Sequence, residues 1–425
     1  MAINHEHESL IDVDSAVKKI LDTVVELSFE TKKLLQSLDH VCYQDVIGNI
    51  NVPPVNNSAM DGYAVRFKDV KEASSDNPID LEVIGIISAG QIPSKKVRYN
   101  STVRIMTGAP IPEGADAVIP FEDTNDVLEK EESLKNKAIR IIKPVEYWNN
   151  VRDAGQDVKK GDVLVAKGKL ISAADIGVLA SQGLDSVKVV KRPKVAILAT
   201  GNELLSSGEV FELGKIYDSN TQAIAAAVVE SGGVPNVLGI AKDDYNSLNH
   251  KIELAASSDL IITSAGVSKG DYDIVKNFIS DQGEIQFWSV KMRPAKPIAF
   301  GWIKTKGDIK IPIIGLPGNP VSAMIAFEKF GRPAIYKMRG IYDFGRFVVQ
   351  AILNDEIINY DGRRIYARGI VTKKGKDYHV SLTGSQQSNL LTSMAKANGL
   401  VVCPDDVSRL TVGSLVRVEM INWTG

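Results

Sequence analysis

From residue 193 to about 331 the chain repeats one pattern: a short apolar run, a polar loop, then a stretch with helical spacing. The apolar runs are PKVAILAT, VPNVLGIA, DLIITSAG, IQFWSV and KIPIIGL, each short enough for a strand. The stretches between them predict helices over about 219–230, 245–257 and 272–281, and VSAMIAFEKF predicts another. Gly232-Gly233 stops the first of these. Strands that alternate with helices imply βαβ units and a mostly parallel, doubly wound sheet between helical layers. No other feature restricts the fold as strongly.

The flanking sequence differs in kind. Residues 12–37 carry apolar positions at helical spacing and predict two helices. Within residues 51–145 the runs LEVIGIISAG, STVRIMTGAP, DAVIPFEDT and AIRIIKP are broken by Gly, Pro and charge, which predicts a β-rich insert. EDTNDVLEKEESLKNK reads as a solvated hairpin or loop. The turn-rich R-x-x-G-x-D-V-x-x-G-D leads into a predicted helix, SAADIGVLASQG. After about residue 341, short strands and glycine turns predict a C-terminal β domain. The expected class is multi-domain α/β. Its parts are a discontinuous N-terminal domain over 1–50 and 146–184, an insert over 51–145, an αβα domain over 185–340 and a β domain over 341–425.

Charge and cysteine content narrow the function. Fifty basic and 52 acidic residues give net charge −2, which does not suggest nucleic acid. The two cysteines, Cys42 and Cys403, lie far apart, against a disulfide framework or thiolate zinc site and in keeping with a reducing compartment. His5, His7, His40, His250 and His379 are scattered. The polar N-terminus is no signal peptide, and no apolar run nears the ~18 residues that span a bilayer. A cytoplasmic protein without membrane partners is expected.

Open α/β sheets bind ligands beyond the carboxyl ends of their strands. The loops there carry Glu203 in TGNEL, Asp243 and Asp244, GVSKGDYD with Asp271 and Asp273, Arg293 and Lys296 in KMRPAKP, and GLPGNP. In GLPGNP, Asn319 suits an N-cap and Pro320 the first helical position. Gly318 before them, and Gly266, Ser268 and Gly270 in the other glycine turn, offer backbone N–H groups to a phosphate. Neither GxxxxGK[ST] nor GxGxxG after a strand occurs, so this is no plain P-loop NTPase or dinucleotide dehydrogenase. Arg293 and Lys296, restrained by Pro294 and Pro297, would be economical around an oxyanion. Acids on the same edge suggest a divalent metal such as Mg²⁺, shared with substrate phosphate. In the insert, PPVNNSAMDGYAVR presents one carboxylate, Asp61, after stiffening prolines and turn-forming asparagines. Read alone, it is more simply a surface turn with a solvated aspartate.

Taken together and in this order, NNSAMDGYA, RIMTGAPIPEGADAVI, the RxxGxD of 152–157, TGNEL, TSAGVSKGDYD, PAKP and GLPGNPVSA resemble the molybdopterin molybdenumtransferases, the family that includes the E domain of gephyrin. The resemblance covers residues 12–425. It implies transfer of molybdenum from molybdate into adenylylated molybdopterin with release of AMP, use of Mg²⁺, and a homodimer of elongated subunits. It also implies that the insert of one subunit faces the sheet domain of the other. It places Asp61, Thr107, Asp157, Glu203, Asp243 and Asp271 in the active site, with Asp61, Glu203, Asp243 and Asp271 as candidate metal ligands. Arg293, Lys296, Arg368 and Ser388 fall near the family's molybdate pocket, Arg293 standing where members commonly carry lysine. The pathway's molybdopterin adenylyltransferase becomes a candidate partner. Tungstate insertion and a gephyrin-like scaffold are the alternatives. The adenylyltransferase itself, whose fold resembles residues 185–335, is opposed by the additional domains.

Overall fold

The computed structural model describes residues 10–127, 138–265, 274–304 and 309–421. They fall into two compact units. The larger holds the described residues of 1–31, 39–43 and 188–425, the smaller those of 32–38 and 44–187.

In the larger unit one sheet runs, in spatial order, Val234–Ala241, Lys194–Thr200, Leu260–Ser264, Lys310–Leu316, Pro297–Lys304 and Gly283–Ser289. The first four strands are parallel to one another, and the last two pairings are antiparallel. Side-chain alternation sorts the residues between two layers. Val195, Ile197, Leu260, Ile262 and Ile314 pack with Ile224 and Val228 of helix Ser219–Glu230 and with Val321 and Ile325 of helix Pro320–Ala326. Ala196, Leu198, Ile261 and Ile313 pack with Leu248 and Ile252 of helix Tyr245–Leu254 and with Val275, Phe278 and Ile279 of helix Ile274–Gln282. Cover on both faces is what allows strands this apolar. The doubly wound expectation is met in this domain.

Strand Pro297–Lys304 is absent from the sequence reading, which runs through KMRPAKP as a loop. It bonds antiparallel on both sides, so the sheet is mixed at that edge. The prolines hid it. Pro297 opens the strand, where a missing N–H is tolerated.

The opening segment also differs from expectation. One helix forms, Val13–Thr23, capped by Asp12, whose Oδ1 accepts from Ser15 N–H at 2.8 Å. Val24 then turns extended, and residues Phe29–Lys33 form a strand followed by a 3₁₀ turn at Leu34–Ser37. The β-branched pair Val24-Val25 favours that exit. Val13, Ala16 and Ile20 enter the core of the larger unit, so this helix does not group with residues 146–184, which lie in the smaller unit.

A second sheet of the larger unit closes on itself. Arg364–Lys374, Asp377–Leu382, Val348–Leu353, Leu415–Met420 and Gly399–Cys403 pair in turn, and the last returns to the first. This barrel, with Val349, Ala351, Val380, Val401 and Val418 inside, is the expected C-terminal β domain. In the smaller unit a five-stranded sheet orders Ala117–Pro120, Gly62–Val65, Ser101–Ile105, Ile79–Ile87 and Ala138–Ile141. Helix Ala173–Ser181 begins with a capping box at Ser172 and Asp175.

Two glycines of the smaller unit should respond oppositely to alanine. A Cβ at Gly62 would lie 1.9 Å from the Ile119 carbonyl oxygen, so Gly62→Ala should cost about 1–3 kcal/mol or more. Gly177, inside helix Ala173–Ser181, has nothing within 4 Å of its Cβ position, so Gly177→Ala should gain about 0.5–1 kcal/mol. Denaturant unfolding reads both. A tolerated Gly62→Ala would show that the strand pairing is looser than described.

Candidate active site

Asp61 ends the loop that enters strand Gly62–Val65, and its side chain is exposed. Its Oδ1 accepts from Thr107 N–H at 2.6 Å and from the Thr107 hydroxyl at 2.8 Å. These bonds, the backbone one first, hold the Asp61 carboxyl below the usual carboxylate range. The loop is fastened to two other motifs. Ser58 N–H donates to Ala109 O at 2.9 Å, Gly108 N–H to Ser58 O at 2.8 Å, and Ile111 N–H to Asn56 O at 3.0 Å. Ala59 N–H donates to Asn150 O at 2.9 Å, and Ala154 N–H to Asn56 Oδ1 at 2.8 Å. NNSAMDGYA, MTGAPIP and RxxGxD are thus one hydrogen-bonded body. Asp157 anchors its own loop through its N–H on Val52 O at 2.9 Å. Its side chain is exposed and lines a cavity of about 450 Å³ with Val52, Pro53, Asn57, Arg152 and Gln156.

In the larger unit the carboxyl ends of the parallel strands form a rim. A Cβ at Gly201 would lie 2.7 Å from the Glu203 carboxylate, so Glu203 folds back over the end of strand Lys194–Thr200. Asn202 and Asp243 exchange bonds: Asn202 N–H donates to Asp243 Oδ2 at 3.0 Å, and Asp243 N–H to Asn202 Oδ1 at 3.3 Å. Lys215 Nζ donates to Asn202 O. Asn319 takes the N-cap position and Pro320 the first helical position, as expected, but the Asn319 side chain makes no cap bond. Val321 N–H donates to Ser388 O at 3.1 Å, which brings Ser388 to the helix start. Gly266, Ser268, Gly270 and Asp271 lie outside the described residues.

The three expected cations differ. Arg293 Nη2 donates to Ile358 O at 2.9 Å, and its Nη1 lies 3.7 Å from Asp361 Oδ2, so it already has a counter-charge. Lys296 is half-buried and has no carboxylate partner among the described residues. Arg368 is fully buried. Its Nη2 donates to Ser385 O at 3.0 Å and Gln387 O at 3.2 Å, while Nε and Nη1 have no partner among the described residues. Burial lowers the pKa of the Arg368 guanidinium. Arg293 lines a cavity of about 370 Å³ with Ser385, Gln386 and Gln387, the loop that holds Arg368.

Sequence reasoning did not single out Lys215 or Asn220, and it took Asn57 only as part of a turn. Asn57 Oδ1 is buried without a partner among the described residues. Asn220 Nδ2 donates to Ser264 Oγ and to Gly318 O, each at 2.8 Å. The only local signal for it is a position just after a helix cap, Asp218.

Three family models cover most of the chain. They are the MoeA N-terminal region (domain I and II) over residues 11–183, a probable molybdopterin binding domain over 196–337, and the MoeA C-terminal region (domain IV) over 350–421. A molybdopterin molybdenumtransferase of Staphylococcus epidermidis is 33% identical over 420 residues, 97% of this chain and 96% of the relative. One of Haemophilus influenzae is 34% identical, over 97% of this chain and 99% of the relative. The crystal structure of a molybdopterin biosynthesis MoeA protein from Pyrococcus horikosii superposes with a TM-score of 0.82 at 32% identity, covering 98% of this chain and all of that one. The chain belongs to the molybdopterin molybdenumtransferase family.

Removing the Thr107 hydroxyl removes one of the two bonds that favour ionised Asp61. Thr107→Ala should therefore raise the Asp61 pKa part-way to its ordinary value, the backbone bond remaining. A depressed folded-state pKa adds stability above the unfolded value, lost as pH falls through the folded one. The variant should accordingly lose less stability on acidification. Carboxyl-carbon NMR titration checks it, and an unmoved Asp61 midpoint would deny the contact.

Proposed function

We propose that this transferase inserts molybdenum from molybdate into adenylylated molybdopterin, releasing AMP, at the carboxyl edge of its six-stranded sheet. The observation that carries this reading is the rim itself. Glu203 over Gly201, the Asn202–Asp243 exchange and the Gly318–Pro320 turn stand at the carboxyl ends of three of the sheet's four parallel strands.

Each residue then has a task. The glycine turn and helix start take substrate phosphate through backbone N–H groups. Lys296 and Arg368 hold the tetrahedral molybdate dianion, with Ser388 beside them. Arg368 suits this because a buried guanidinium with only carbonyl partners lacks a counter-charge. Arg293, already paired with Asp361, contributes less charge. By the family resemblance, Asp61, presented by Thr107, and Asp157 orient the reacting groups from the second subunit of the dimer.

Mg²⁺ belongs to this reading. Glu203 and Asp243 are exposed carboxylates on one rim, the donor set Mg²⁺ takes when substrate phosphate supplies further oxygens. Asp61 and Asp271 are the family-based alternatives. Among the described residues no cluster of three or more potential ligands forms a self-sufficient cage. When bound, the metal spreads the charge that develops as the phosphoanhydride breaks. A homodimer and a cytoplasmic location complete the reading, the first from the family resemblance and the second from two buried free cysteines.

Incubation with adenylylated molybdopterin, Mg²⁺ and molybdate should release AMP in a molybdate-dependent manner. Its absence would defeat the proposal. Asp61→Asn should suppress the release while the fold stays intact. Lys296→Ala removes a charge-assisted bond of about 1.5–3 kcal/mol, so half-saturating molybdate should rise roughly ten- to hundredfold. Normal molybdate dependence with lost nucleotide binding would reverse the two sub-sites.

A further inference from the structure

Asn220 sits in the first turn of helix Ser219–Glu230 and is 9% exposed. Its amide has two hydrogens, and the two bonds at 2.8 Å, to Ser264 Oγ and Gly318 O, employ both. Ser264 ends strand Leu260–Ser264, and Gly318 lies between strand Lys310–Leu316 and the helix that begins at Pro320. Three elements separate in sequence are therefore tied at one amide.

The bond to Gly318 O also sets a direction. In a trans peptide the carbonyl and the next N–H point oppositely. Holding Gly318 O toward Asn220 aims Asn319 N–H away from that helix. Among the described residues none accepts from Asn319 N–H, and the exposed Asn319 side chain is not spent on capping.

We propose that Asn220 is a positioning residue that fixes the Gly318–Asn319 peptide so that its N–H meets a phosphate oxygen of the adenylylated substrate. This rests on the function proposed above for the rim. Asn220 itself touches no substrate; it acts through Gly318.

Asn220→Asp keeps the shape but turns a carboxylate oxygen toward the Gly318 carbonyl, which has no hydrogen to give, while the Ser264 hydroxyl can rotate to donate. In the full-length protein KM for adenylylated molybdopterin should rise about tenfold. Half-saturating molybdate should stay near wild type, while the unfolding midpoint should fall because a buried carboxylate loses its bond to Gly318 O. A merely structural role would lower the midpoint and leave KM alone. Ser264→Ala keeps the Gly318 bond, so its KM should rise only about threefold or less. A wild-type KM in Asn220→Asp, or an equal loss in Ser264→Ala, overturns the proposal. If Asn220→Asp does not fold, hydrogen exchange on the wild-type protein decides. Adenylylated molybdopterin should slow exchange at the Asn319 amide, and unchanged exchange refutes the role. A wild-type protein that releases no AMP removes the functional reading and this role with it. An active wild type beside an unaffected variant removes only the role.

Discussion

Three strands covered on both faces decide where this chain can keep polar chemistry. In Lys194–Thr200, Leu260–Ser264 and Lys310–Leu316 nearly every side chain enters one helical layer or the other. Each large apolar side chain buried there contributes about 1.5–3 kcal/mol, and a polar one without a partner would forfeit a similar amount. Of the hydroxyls toward the strand ends, Ser264 accepts from Asn220, while Thr200 and Thr263 are buried without a hydrogen-bond partner among the described residues. Beyond them come the glycine turns and the acids. The rim is where the burial requirement of the sheet stops.

The alternation that builds this sheet was legible because each period is short and local. Helix Ser219–Glu230 has the bounds that its spacing and the Gly232-Gly233 stop imply. What escaped was long-range. Strand Pro297–Lys304 is stabilised by two antiparallel neighbours, information that a proline-flanked run does not carry. The stretch 29–37 has helical spacing yet forms a strand and a 3₁₀ turn, where tertiary pairing outweighs weak propensity. At the site, the acids were readable from their place after strands. Asn220 was not, because its partners lie 44 and 98 residues away.

Asp61 shows the same division. Its loop read alone as a surface turn, and the carboxylate is indeed exposed. Its distinction is the bonding beneath it. Asn56, Ser58 and Ala59 are each held from segments dozens of residues away, and Gly62 lets the strand approach Ile119 more closely than any Cβ permits. A solvated aspartate needs no such frame. Rigid presentation costs conformational entropy, and that cost is reasonable where a charge must stand in a fixed place.

Charge bookkeeping separates cations that sequence treats alike. Arg293 and Lys296 flank the same short segment and look like a matched pair. The fold gives Arg293 a carboxylate and a carbonyl, and leaves Lys296 without a described counter-charge. Arg368 is in the most demanding position. Its guanidinium is wholly buried, its neighbours are neutral carbonyls, and two of its nitrogens are unsatisfied. Desolvation of an unpaired cation is among the larger penalties a fold can carry. Apolar residues of similar size would make that barrel wall more stable. An arginine there therefore carries a cost that its two carbonyl partners do not offset, since its Nε and Nη1 stay buried without a partner among the described residues.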